Sequence, residues 1–194
     1  MQFRRHFKAA RAGGVITTDN MNKLISLIKE DRFRMDLLCV VSSLNLPDWY
    51  IAAGFVRNLI WDHLHNCKPT PLNDVDVIYF SKEAINEEAY LNLLYSSHPH
   101  IKWQLKNQAF MHERNLDSPY RSSVHAMEHW PEIETAIGVK LEANGKVVVA
   151  SPFNITHIFH GNITHNKKRD KSVFLNRIEE RKWLEVWPNL KIKL

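Results

Sequence analysis

Asp74 and Asp76 open a β-branched and aromatic run, Asp74-Val75-Asp76-Val77-Ile78-Tyr79-Phe80. A strand has a two-residue period, so both carboxylates project from the same face. Two acids so placed form a seat for a divalent cation, and metal with phosphate is the chemistry that seat suggests. Upstream, the apolar segment 49–53 leads into Gly54-Phe55-Val56-Arg57-Asn58. Gly54 lacks a Cβ, so the backbone there can approach a triphosphate closely. A helix starting after it would direct amides and its positive dipole end at the anion. Arg57, in the first turn, would present a planar fork to phosphate. Each residue also has a plain alternative. The aspartates can be a surface pair at a strand entrance, Gly54 a simple strand-to-helix turn, and Arg57 the salt-bridge partner of Asp74 or Asp76.

Further along, Lys106 and Asn107 lie on a predicted strand and face opposite sides, so only one can address the aspartates. Asn107 is the expected one, since its amide can position substrate; its alternative is a structural hydrogen bond to backbone. Glu142 is the nearest later acid on a predicted strand and a candidate third carboxylate, or simply a solvent-facing hairpin residue. His112 is expected to line the nucleotide pocket. His157 and His160 can share a helix face, but no nearby cysteine or acid completes a zinc set. Trp103, Trp130, Trp183 and Trp187 can stack on a base, although core packing is the ordinary role of such residues.

The elements that must position these groups follow from periodicity. Thr18 or Asp19 is expected to cap a helix over 21–29. A second helix spans 32–44, with Met35, Leu38, Val41 and Cys39 inward, and ends before Pro47. Residues 49–53 read as a buried strand, 75–80 as another and 101–111 as a third. Val56, Leu59, Ile60 and Leu64 recur at helical spacing. Ser81 is expected to cap a helix over 82–97. Residues 112–123 read as a loop over the active face, followed by a short helix over 124–130. Asn144-Gly145 predicts a type I′ hairpin between strands over 134–142 and 146–150. A short helix over 153–160 and a terminal helix over 173–187 complete the chain.

The blocks Ala53 to Asn58 and Asn73 to Phe80 resemble the signature of polymerase-beta-like nucleotidyltransferases. Those at Trp103 to Ala109, Trp130-Pro131-Glu132 and Trp183 to Leu190 are most similar to a little-characterised bacterial nucleotidyltransferase family. The resemblance covers roughly residues 35–190. It implies an α/β (α+β) fold with a mixed sheet flanked by helices. It also implies transfer of a nucleoside monophosphate from a nucleoside triphosphate to a hydroxyl acceptor, with two Mg²⁺ ions held by Asp74 and Asp76. The chain departs from the pattern at four places, one of them Phe153 to Phe159, where the family tends to carry two adjacent acids and this sequence has none. Many relatives carry Gly-Gly or Gly-Ser where this sequence has Ala53-Gly54. The tRNA-nucleotidyltransferase branch has an acid at the position of Asn58. The third carboxylate usual on a following strand has no counterpart in 101–111. These departures motivate a second reading, a catalytically impaired nucleotide-binding or regulatory module on the same fold.

Length and composition frame this reading. A chain of 194 residues with 44% hydrophobic and 10% aromatic residues suits a single domain over 1–194 with a buried core. No apolar run approaches the roughly 20 residues that span a bilayer, and the basic N-terminal segment 1–14 lacks the apolar stretch of a secretory signal. With only Cys39 and Cys67, the expected setting is a reducing cytoplasm with free thiols. The net charge of +5 is concentrated at the ends, where residues 165–194 carry nine basic and four acidic groups. Basic ends can grip a polyanion, but no nucleic-acid motif accompanies them, so nucleic acid ranks behind a nucleoside triphosphate as partner.

Overall fold

The computed structural model describes residues 11–72 and 74–194, with side chains from Thr18 onward. Most of the basic segment 1–14 lies outside the described residues. Helix α1 (Arg11–Glu30) begins well before the expected start. Thr18 and Asp19 therefore sit inside it rather than at its cap. Leu24 and Ile28 are fully buried on its inner face. Asp31 separates it from α2 (Arg32–Ser43), accepting a hydrogen bond from the Arg34 amide as N-cap. Leu37, Leu38 and Val41 form the buried stripe of α2. Cys39, expected inside, is exposed.

Strand β1 (Tyr50–Ala52) leads through Ala53 into α3 (Gly54–His65), and β2 (Asp74–Tyr79) follows. Ser81 does not cap the next helix. It closes a turn with Glu83, and α4 (Glu87–Ser97) starts later behind the N-cap Asn86. Strand β3 (Lys102–Asn107) is shorter than its apolar pattern suggested. Asn107 caps a single turn of 3₁₀-helix, after which α5 (Met111–Asn115) runs. Helix α6 (Ser123–Met127) is capped by Ser122.

Strands β4 (Gly138–Leu141) and β5 (Val147–Ala150) form the expected hairpin. Its turn is not type I′. Gly145 has a positive φ of 79° while Asn144 does not, and Glu142 pairs with Lys146 across three intervening residues, the longer loop class with glycine in the left-handed position. Strand β6 (Asn162–Thr164), α7 (Lys171–Arg181), α8 (Trp183–Val186) and β7 (Lys191–Lys193) end the chain. The predicted terminal helix is thus broken at Lys182, whose φ is 51°. β6 and β7 pair in parallel.

The main sheet is mixed, in the order β3-β2-β1-β4-β5, with only β2 and β3 parallel. Its two faces differ. Ile51, Val75, Val77, Tyr79, Trp103, Leu105 and Val139 face a large core closed by α1 to α4. Tyr50, Ala52 and Ile78 face a smaller cluster with Met127 and Ala136. A third cluster joins Trp61 of α3 to Phe174, Ile178, Trp183 and Trp187. Among the described residues, no helix is long and apolar enough to cross a membrane.

Candidate active site

Alternation along β2 sends Val75 and Val77 into the main core and leaves Asp74 and Asp76 on the smaller-core face. Asp76 lies opposite Ala52 of β1 and Gln104 of β3. The turn between β1 and α3 is therefore brought beside the aspartates by sheet register. That turn is unusual in its backbone. Ala53 has φ 56° and ψ −121°, a region that a Cβ disfavours. The glycine-like conformation is thus at Ala53, while Gly54 has no positive φ. A Cβ on Gly54 would come no closer than 3.5 Å to any neighbour, so its absence does not serve packing. Helix α3 opens with no side-chain cap on its first amides.

Two cavities meet at the aspartates. One, of about 270 Å³, is lined by Gly54, Arg57, Asn58, Thr70, Asp74 and Trp183, among others. The other, of about 210 Å³, is lined by Gln104, Lys106, Gln108, Asn115, Tyr120 and Trp130, among others. Ala53, Asp76, Arg177 and Arg181 belong to both walls.

Arg57 is 7% exposed. It donates from Nη1 to Thr135 Oγ1 (2.9 Å) and from Nε and Nη2 to Asn58 Oδ1 (3.2 and 2.9 Å). Its guanidinium lies 5.0 Å from the ring centroid of Trp61 and 4.4 Å from that of Trp183. Burial pulls its pKa down to about 10; Glu132 opposes that pull, whereas Arg177 and Arg181 add to it. The group remains a cation at neutral pH, a fixed positive charge at the cavity floor. Among the described residues it makes no ion pair with Asp74 or Asp76.

Asp76 is instead paired with Lys106, Nζ to Oδ1 at 2.9 Å, and Asp74 with Arg181 at 3.7 Å. Lys106 thus faces the aspartates and Asn107 does not, the reverse of the expectation. With Trp103 and Leu105 in the core, Lys102, Gln104 and Lys106 share the opposite face. The Asn107 amide bonds the Ser81 amide and carbonyl (3.1 and 2.8 Å) and the Ala109 amide (3.1 Å), a structural role away from either cavity. Glu142 is also misplaced. Strand β4 starts beside Ala52 and runs away from the aspartates, leaving Glu142 beyond its far end. His112 lines a separate depression with Phe110 and Arg121. The segment expected as a loop over the site does contribute Asn115 and Tyr120 to the smaller cavity, beside Met111. It is pinned from below by Arg169, which donates to Asp117 (3.0 Å) and to the Tyr120 hydroxyl oxygen (3.0 Å).

Sequence reasoning missed Arg177 and Arg181. They stand four residues apart on α7, beside the buried pair Phe174 and Ile178, so they share a helix face turned toward the aspartates. Arg177 is anchored by Glu132, which is fully buried, with Nε to Oε1 at 2.6 Å. An arginine pair bordering a buried stripe was the available signal.

Among the described residues, no group of three or more His, Cys, Asp or Glu is arranged to hold a metal. Asp74 and Asp76, 43% and 25% exposed, do fit Mg²⁺, which takes one or two carboxylates, retains waters and shares phosphate oxygens. The fit is to a metal arriving with phosphate, not to a closed protein cage.

A family model for nucleotidyltransferases matches residues 39–192, and the chain belongs to that family. Its fold is that of the polymerase-beta-like superfamily. An NMR structure described as revealing a CCA-adding enzyme head domain is 29% identical, with TM-score 0.77, over 89% of this chain and 95% of that one. A CCA-adding enzyme in complex with CTP is 13% identical over 85% of this chain and 47% of its own, with TM-score 0.50. A tRNA-processing enzyme complex is 14% identical over 81% and 43%, also at 0.50. This chain spans less than half the length of those two proteins, and at such identities the likeness is one of fold. No curated protein matches the chain.

Proposed function

We propose that this protein is an Mg²⁺-dependent nucleotidyltransferase, moving a nucleoside monophosphate from a nucleoside triphosphate to a hydroxyl acceptor. The observation that carries the reading is the position of Asp76, at the junction of two cavities that share Arg177 and Arg181, one of them also lined by Gly54, Arg57 and Asp74. Gly54, the uncapped first turn of α3 and the guanidiniums of Arg177 and Arg181 suit a polyphosphate. Arg57 contributes fixed positive charge beneath it. Mg²⁺ held by Asp74 and Asp76 with the phosphates would activate the acceptor hydroxyl and neutralise the departing pyrophosphate.

In-line displacement places the attacking and leaving oxygens on opposite sides of the reacting phosphorus. With pyrophosphate on the Gly54 side, the acceptor enters from the smaller cavity, between Gln104, Gln108 and Trp130. The reading takes the chain as a single cytoplasmic domain. The test is pyrophosphate release from each of the four triphosphates across a panel of acceptors, with Asp76→Asn as control. Release that Asp76→Asn abolishes supports the enzyme. A second reading, nucleotide binding without turnover, is favoured by Lys106 standing where an acid is usual. Tight binding with no release across the panel would support that reading instead.

A further inference from the structure

Both candidate metal-binding carboxylates already hold a protein cation. Lys106 Nζ sits 2.9 Å from Asp76 Oδ1, and Arg181 Nη1 sits 3.7 Å from Asp74 Oδ2. Strand parity explains the first pair. Trp103 and Leu105 are committed to the core and Asn107 is locked into the Ser81 turn. Lys106 therefore has only the aspartate face to occupy. Its direct partner across the parallel register is Ile78, so the ammonium reaches diagonally to Asp76.

We propose that Lys106 and Arg181 are phosphate ligands stored on the aspartates, so that metal and nucleotide bind as one unit. A divalent ion arriving alone competes with two cations for the same oxygens and gives them no new partner. An ion arriving with a triphosphate brings the anionic oxygens onto which both cations can move. The exchange is accessible because Lys106 and Arg181 are 44% and 54% exposed; such half-solvated pairs hold by a factor of only about two to five. Arg177 does not take part, since the buried Glu132 carboxylate fixes it. In this scheme Lys106 has a task in the position where a third carboxylate is usual. It passes from carboxylate to phosphate as the site fills.

The inference rests on the nucleotidyltransferase reading, and its test separates the two. Free Mn²⁺ is titrated by electron paramagnetic resonance into the nucleotide-free wild type, Lys106→Met, Asp76→Asn/Lys106→Met and Lys102→Met. Lys102 is an exposed cation on the same strand face that makes no ion pair among the described residues, so it controls for general field effects. Affinity for a non-hydrolysable ATP analogue with Mn²⁺ is measured on the same proteins. Lys106→Met should bind Mn²⁺ alone about two to five times more tightly than wild type. The Asp76→Asn double variant should lose that gain, Lys102→Met should show none, and Lys106→Met should bind the metal–nucleotide complex more weakly. No gain in Lys106→Met, an equal gain in Lys102→Met, or unchanged nucleotide affinity in Lys106→Met would each overturn the stored-ligand scheme while leaving the nucleotidyltransferase reading standing. Failure of the wild type to bind the metal–nucleotide complex would overturn both.

Discussion

The guanidinium of Arg57 lies 4.4 Å from the ring centroid of Trp183. This one contact ties the turn at the aspartates to the C-terminal helices, because Trp183 also meets Trp61 of α3 edge-on at 5.6 Å. Trp183 is 3% exposed. Replacing it with alanine should cost roughly 3–5 kcal/mol and loosen Arg57 as well. Urea denaturation of Trp183→Ala and Trp183→Phe would show the alanine variant far less stable and the phenylalanine variant in between.

Ala53 and Gly54 should respond to substitution in opposite ways. Ala53→Gly relieves a φ of 56° with ψ −121° and should stabilise the fold by about 1 kcal/mol. Gly54→Ala meets no atom nearer than 3.5 Å and should leave thermal unfolding nearly unchanged. It should nevertheless weaken triphosphate binding, because the added methyl sits where phosphate would approach. A melting curve and a nucleotide titration on each variant separate the two effects.

Arg177 neutralises the fully buried carboxylate of Glu132. Arg177→Ala strands that charge and should destabilise by about 3 kcal/mol. The double variant Glu132→Gln/Arg177→Met removes both charges and should recover much of the loss. If the single variant is no less stable than wild type in chemical denaturation, the pair does not anchor α7.

Asp117 sets an acid limb. Burial works against its ionisation, but hydrogen bonds from Arg169 and Tyr120 outweigh burial and hold its pKa down to about 2, below the ordinary 3.8. A depressed carboxylate stabilises the fold above its unfolded pKa, and that contribution fades as pH falls through the folded value. Stability should therefore drop between about pH 4 and pH 2, by on the order of 2 kcal/mol. Asp117→Asn should be less stable at neutral pH and should flatten that limb in a pH series of denaturant midpoints.

Local pattern made part of this site legible. The alternation around Asp74 and Asp76 set their shared face, and Ala53-Gly54 marked the turn from strand to helix. The placement of Lys106 was legible in the same way, since the alternation of Ile101, Trp103 and Leu105 toward the core puts Lys106 on the opposite face with Gln104. The expectation of Asn107 there rests on its amide and runs against that alternation. Arg177 and Arg181 come from a helix far along the chain, so no local period links them to the aspartates. The terminal helix read as continuous because nothing in Arg181-Lys182-Trp183 signals a left-handed residue. Cys39 shows the same limit, since the apolar stripe of α2 runs through Leu37, Leu38 and Val41 and leaves it outside.

In the proposed function, Asp74 and Asp76 seat a metal–nucleotide complex between Gly54 and Arg181. Calorimetric titration of each nucleoside triphosphate, with and without Mg²⁺, into the wild type and into Asp74→Ala/Asp76→Ala tests it most directly. The wild type should show Mg²⁺-dependent binding that the double variant loses while keeping its fold. Absence of binding by the wild type to all four triphosphates, or equal binding by the double variant, would contradict it.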